Sequence, residues 1–334
     1  MIIDSHAHLV APDSLYKYRT DLVAFRGQFG YFKANISDEA LGKAAAHNVA
    51  LMDEVGTDVQ ILSPRPFILL HGTNRWNEIR AWTETNNDLI ARTVQMHPTR
   101  FRGVGALPQS LGRPVETVFD EITRCIEELG FVGVLLNPDP SEGTGESPPL
   151  GDPYWYPLYE RLCELDLPAH IHSGACTKRE TYDEHFISEE SLAITSIVRG
   201  GVFKRFPELK LMVSHGGGAI PYQMGRWQSN TQMQIAAGFL PQDHEAFDVT
   251  LRRFWFDTLV HHKPSLELLL SVVGTDRCCF GTERPGSGGG INPLTGLAYD
   301  DLKPVIESIE SLTKSDLHAL FEGNARRLFG RLGL

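Results

Sequence analysis

The chain has 334 residues, is 42% hydrophobic and carries a formal net charge of −11, which is enough apolar material for a large core and the wrong sign for a nucleic-acid surface. No apolar stretch approaches the roughly 20 residues of a membrane span, and Met1 leads into the first apolar run without a basic leader, so a cytoplasmic protein with no membrane partner is expected. The five cysteines, Cys125, Cys163, Cys176, Cys278 and Cys279, include no C-x-x-C pair and read as reduced thiols.

Taken in order, short apolar runs alternate with helical stretches, the pattern of parallel strands joined by helices. The runs are Met1–Asp4, Asp58–Leu62, Phe101–Ala106, Gly133–Leu136, Pro168–His172, Lys210–Ser214, Phe254–Thr258 and Cys278–Phe280. Between them, Pro114–Leu129 has proline in its first turn and Gly130 past its end, and Tyr154–Leu165 is opened by Asp152 and Pro153. The tail from Asp300 reads as two further helices, Leu302–Leu312 and Ser315–Leu328, the second opened at Ser315, placed either under the barrel or on its side. The repeats predict an α/β fold, a (β/α)8 TIM barrel with extra C-terminal helices, as one domain over 1–334. Irregular stretches follow the strands at Arg65–Asn77, Asn137–Pro149, Ser173–Ser188 and Arg284–Thr295, where such a barrel builds its active site.

Chemistry-bearing residues gather at the ends of these runs. His6 and His8 in IIDSHAH are two apart, so on a strand both imidazoles share a face and can bind one ion. His170 and His172 in PAHIH also share a face, and spacing alone leaves either as a further ligand; Glu283 in GTER ends the last run. His215 precedes three glycines that allow close backbone approach to a ligand. Arg65 follows the second strand, where its guanidinium could grip a carboxylate or stand in solvent. Asn137 and Asp139 follow the fourth strand, Tyr222 lies in AIPY, and Asp257 reads as an orienter of a ligand; His261 and His262 read as ordinary loop residues.

In IIDSHAH, SPRP, LLNPDP, PPLGDPYWYPLYERLCELDLPAHIH, VSHGGGAIPYQMGR, FDTLV, GTERPG and FEGNARRLF the chain resembles the amidohydrolase superfamily. The branch is that of aminocarboxymuconate-semialdehyde decarboxylase, aromatic-acid decarboxylases and 4-oxalomesaconate hydratase. Among these the motifs are nearest to the hydratase, which also has a glutamate after the eighth strand where most relatives have aspartate. The resemblance implies one divalent metal, Zn²⁺ with Mn²⁺ as the alternative, held by His6, His8, His172 and Glu283. It favours His172 over His170; His215 reads as a base or oxyanion stabiliser and not a further ligand, and with Glu283 it is a candidate catalytic residue. Arg65, His71, Asn137, Tyr222 and Arg284 are the candidate substrate contacts, and a homo-oligomer is expected.

Three reactions fit this branch: hydration of a double bond, hydrolysis of a carbon–carbon bond, and decarboxylation. The apolar run Pro66–His71 and the glycine-rich loop after Arg284 point to a larger, partly aromatic substrate. The leading expectation is therefore a zinc-dependent C–C hydrolase acting on a carboxylated 2-hydroxy or 2-oxo dienoate, a meta-cleavage product of aromatic or lignin-derived compounds. A 4-oxalomesaconate-type hydratase and an aromatic-acid decarboxylase are the alternatives, and an inactive metal-binding scaffold is the reading outside enzymology.

Overall fold

In the computed structural model, which describes residues 1–28, 34–176 and 178–334, eight parallel strands pair in chain order. They are β1 (Ile3–His8), β2 (Val59–Ser63), β3 (Phe101–Ala106), β4 (Gly133–Leu136), β5 (Ala169–Ile171), β6 (Leu211–Val213), β7 (Trp255–Asp257) and β8 (Cys278–Cys279). Closure between β8 and β1 runs through Ser5 N–H to the Phe280 carbonyl at 2.8 Å and Glu283 N–H to the His6 carbonyl at 2.7 Å. The molecule is the expected (β/α)8 barrel. No helix among the described residues is long and apolar enough to cross a membrane.

Every strand except β3 is buried at all its positions, because one face meets the barrel interior and the other the helices. Strands β3 and β4 have the bounds the apolar runs predict. Strand β1 continues four residues beyond Asp4, and this extension carries His6 and His8 within the ladder. Its inner face is polar, so hydrophobicity stops before the strand does.

A buried carboxylate knits the strands together under the site. Asp4 accepts from Thr282 Oγ1 at 2.6 Å, Thr282 N–H at 3.0 Å, Gln60 Nε2 at 3.0 Å and His6 N–H at 3.2 Å, joining β1, β2 and the end of β8. Burial nonetheless raises its pKa to about 7 against those hydrogen bonds. Gly281 is required by close approach: a Cβ there would stand 2.9 Å from His6 Cβ and 3.0 Å from Asp257 Cβ.

The tail closes the barrel's lower end. Ala325, Leu328, Phe329 and Leu332 join one apolar cluster with Ile3, Val59, Val104 and Val132. Asn324 Nδ2 donates to the carbonyls of Thr275 at 2.7 Å and Cys278 at 2.6 Å. The final helical region begins with a capping box on Thr313 and Asp316 rather than at Ser315, and it runs through a π turn at Ala319–Gly323. The stretch expected to be irregular from Ser173 to Ser188 turns helical at Tyr182 and stays so to Arg199; Thr177 within it lies outside the described residues.

Candidate metal centre

Strand periodicity sets both β1 imidazoles on the inner face, and Glu283, in a left-handed conformation with φ of 56° just after β8, is aimed at them. From Glu283 Oε1 the distances are 2.8 Å to His8 Nε2, 3.5 Å to His172 Nε2, 3.7 Å to His6 Nε2 and 3.9 Å to His215 Nε2. The donor atoms of His6, His8, His172 and Glu283 all lie within 4.8 Å of one another. Of the HIH pair, His172 enters this cluster. His170 Nε2 instead meets Ser214 Oγ at 2.8 Å, with its ring against His6 at 4.7 Å between centroids.

The tautomers follow from the outer partners. His6 Nδ1–H donates to Asp257 Oδ2 at 2.6 Å and His172 Nδ1–H to the Ser173 carbonyl at 2.8 Å, and neither acceptor can donate. His8 Nδ1 meets Ser63 Oγ at 2.8 Å. Each Nε2 of His6 and His172 therefore presents a lone pair toward a carboxylate oxygen, and both are buried without a hydrogen-bond partner. Such lone pairs repel one another unless a cation stands between them. The N,N,N,O donor set suits Zn²⁺, so the residues fit a divalent metal.

Protonation supports the same fit. Burial drives His6 well below 6.5 and His8 down to about 4, against the raising pull of Glu283. Burial would raise Glu283, yet the imidazoles of His172, His215 and His8 that crowd its carboxylate outweigh it and hold the carboxyl well below 4.5. His6 and His8 are thus neutral imidazoles beside an ionised Glu283, the forms that bind a metal.

Asp257 has the orienting place read from sequence. Besides His6, it accepts from His215 N–H at 3.0 Å, Gly216 N–H at 2.9 Å and Leu259 N–H at 3.0 Å. His215 is held on its other side by Glu190, whose carboxylate oxygens lie 2.9 and 3.0 Å from Nδ1. Burial lowers the His215 pKa, but the Glu190 charge and hydrogen bond, joined by Glu283, raise it well above 6.5. Phe186 stacks on the ring at 5.6 Å with 10° between planes. The glycines after His215 serve packing: a Cβ on Gly216 would meet Val260 and one on Gly217 would meet Phe256, each at 2.7 Å.

Above the cluster opens a cavity of about 990 Å³, lined by His8, His215, Glu283, Arg65, Phe67 and Phe186 among others. Tyr222 lies at its mouth, 79% exposed. Arg65 NH2 donates to the Pro285 carbonyl at 3.2 Å, and it is the one lysine or arginine among the described lining residues. Three expected contacts lie elsewhere. His71 Nε2–H donates to the Leu107 carbonyl at 3.0 Å and its Nδ1 accepts from Asn137 Nδ2 at 3.0 Å, while Asn137 Oδ1 accepts from Asp139 N–H at 3.0 Å. Those two side chains brace the loops after β2 and β4. Arg284 turns away to Asp300 at 2.6 Å and Glu54 at 3.4 Å.

The apolar run after β2 also departs from its expected role. Ile68, Leu69 and Leu70 are core residues, and only Pro66 and Phe67 of that run line the cavity. His261, read as an ordinary loop residue, lines it too, with Nδ1–H donating to the Tyr299 carbonyl at 3.0 Å. Glu190 was missed altogether. Its signal was an acid between Phe186 and Ile194, four residues from each on the apolar stripe of a helix.

Comparison with known proteins places this geometry in context. The family profile described as Amidohydrolase matches residues 3–331. The chain is 36% identical over 338 residues to 2-keto-4-carboxy-3-hexenedioate hydratase of a Sphingobium species, covering 99% of this chain and 97% of that protein. It is 30% identical to the 2-amino-3-carboxymuconate-6-semialdehyde decarboxylase of Dictyostelium discoideum, over 82% of this chain and 73% of that one. The crystal structure of 4-oxalomesaconate hydratase from Rhodopseudomonas palustris superposes with a TM-score of 0.88 at 37% identity, covering 100% of this chain and 97% of that one.

Proposed function

The chain belongs to the amidohydrolase family, and on that premise we propose that it is a metal-dependent hydratase adding water across the double bond of a carboxylated, unsaturated 2-oxo acid derived from aromatic breakdown. The observation that carries the reading is the position of His215. Its Nε2 faces the same carboxylate oxygen as three imidazole donors, while its Nδ1 is fixed by a buried glutamate. Two hydratases with near-complete coverage at 36 and 37% identity support hydration over the C–C hydrolysis that sequence analysis ranked first. The apolar run that favoured an aryl substrate is mostly core, so that argument falls away.

His6, His8, His172 and Glu283 would hold the cation, zinc by preference for three nitrogens and one oxygen. A divalent ion held there supplies a Lewis acid that polarises a substrate oxygen and acidifies water. Arg65 pairs with one carboxylate of the substrate through its planar fork. The walls of Phe67 and Phe186 exclude bulk water from the carbon chain. His215 moves the proton: Nε2–H gives it to the substrate carbon, and the added water returns one to the same nitrogen, so one water is consumed and the residue is restored. Glu190 stabilises the imidazolium form that begins and ends the cycle.

Product mass tests the reading directly. Incubated with unsaturated carboxylated 2-oxo acids, the zinc-loaded protein should yield one product heavier by one water. Two smaller acids would mean C–C hydrolysis, and loss of CO₂ would mean decarboxylation; either outcome from these substrates overturns the proposal.

A further inference from the structure

A second cavity, of about 710 Å³, lies beside the helix Tyr182–Arg199, bordered by the loop after β4 and the segment after β5. His185 sits at its wall, only 1% exposed. Its Nδ1–H donates to Glu180 Oε2 at 3.1 Å, which fixes the tautomer and leaves the Nε2 lone pair facing the other way. That nitrogen has no hydrogen-bond partner and points at Asp139 Oδ2, 3.6 Å away. Glu189, one helical turn beyond His185, brings a second carboxylate. The donor atoms of Asp139, His185 and Glu189 lie within 4.8 Å of one another.

We propose that Asp139, His185 and Glu189 form a second divalent-cation site, distinct from the one in the barrel mouth. Two carboxylates and an imidazole lone pair converge without a counter-charge: Lys178, Arg179 and Arg199 border the cavity, yet none makes an ion pair with these acids among the described residues. Burial first, and then the charges of Asp139 and Glu180, push Glu189 up to about 7, as expected of an acid crowded against its like. Asp139 is already rigid. It accepts from Ser141 N–H at 3.0 Å, Ser147 Oγ at 2.8 Å, Gly143 N–H at 2.6 Å and the Ser141 hydroxyl. Glu180 completes a carboxylate–histidine pair of the kind that orients metal-ligating imidazoles.

The N,O,O set selects a transition ion such as Zn²⁺ or Mn²⁺, with remaining positions open to water. The site also has a mechanical consequence. His185 and Glu189 occupy one stripe of the helix, and Phe186 and Glu190 occupy the next, where they stack on and pair with His215. An ion on the first stripe pins the helix to the loop after β4, and with it the groups that hold the proton carrier.

Zn²⁺ binding isotherms on the full chain test the site. Wild type should take up two equivalents, and His6→Ala/His8→Ala should keep one. His185→Ala and Glu189→Gln, each in the wild-type background, should keep only the barrel equivalent, and Glu180→Gln should weaken the second equivalent about 10–100-fold, the usual cost of removing such an orienting partner. Glu189 is partly exposed, so its variant serves if His185→Ala fails to fold. A single equivalent in wild type, or a second equivalent that survives either His185→Ala or Glu189→Gln, overturns the proposed donor set.

Discussion

Asp257→Asn tests how the barrel site is oriented. Asp257 Oδ2 accepts from His6 Nδ1 and His215 N–H, and Oδ1 accepts from Gly216 and Leu259 N–H. An amide of the same shape must turn its NH₂ toward one of these pairs. Facing Gly216 and Leu259, it strands two buried backbone donors at about 1–3 kcal/mol each. Facing His6 and His215, it strands one, because His6 can switch tautomer and accept at Nδ1. The second arrangement costs less, and it puts a proton on His6 Nε2, the atom aimed at the ion. Stability should therefore fall by about 1–3 kcal/mol, while metal affinity drops about 10–100-fold, the range for partners behind a ligand. Thermal unfolding of the metal-free protein reads the first quantity, and competition with a chelator reads the second. Wild-type metal affinity in a folded Asp257→Asn protein would refute the tautomer argument, since the wrong proton would then be harmless.

Other substitutions separate the remaining roles. His172→Ala should lose most of the barrel ion by metal analysis, whereas His170→Ala should retain it, because only the His172 nitrogen enters the cluster. His215→Asn should keep the ion and lower turnover about 10²–10⁴-fold, the range for a proton-transfer group; loss of metal with activity would instead make it a ligand. Arg65→Met should raise KM more than it lowers kcat if its carboxylate contact is equally strong in ground and transition states. Arg284→Met should leave KM unchanged but lower the unfolding free energy by about 3–5 kcal/mol, since it abandons the buried Asp300 carboxylate.

The barrel was readable because burial on both faces writes each strand as an apolar run, as in β3 and β4, where predicted and observed bounds coincide. The same logic failed at β1. His6 and His8 turn to the polar inner face, so the strand continues where the run of apolar residues ends. It failed again at Ile68–Leu70, in the opposite sense: composition cannot tell residues that line a pocket from residues that fill the core beneath it. Only the placement of the loop decides this.

The metal donors were legible for a geometric reason. A period-two strand puts His6 and His8 on one side whatever the register, and a parallel barrel brings every strand's C-terminal end to one rim. The groups that tune those donors were not, because their partners come from distant chain positions with no local signature. Glu190 and His215 are 25 residues apart and Arg284 and Asp300 are 16 apart, and separation along the chain does not tell either acid from a solvated one. The distinction lies in burial. Glu190 sits on the apolar stripe of its helix, and a carboxylate there must find a cation or lose its charge; His215 is that cation. An acid interrupting an apolar helical stripe is therefore a legible site signal once the helix itself is recognised, and here the helix was hidden because its first turns lie in a stretch that read as loop.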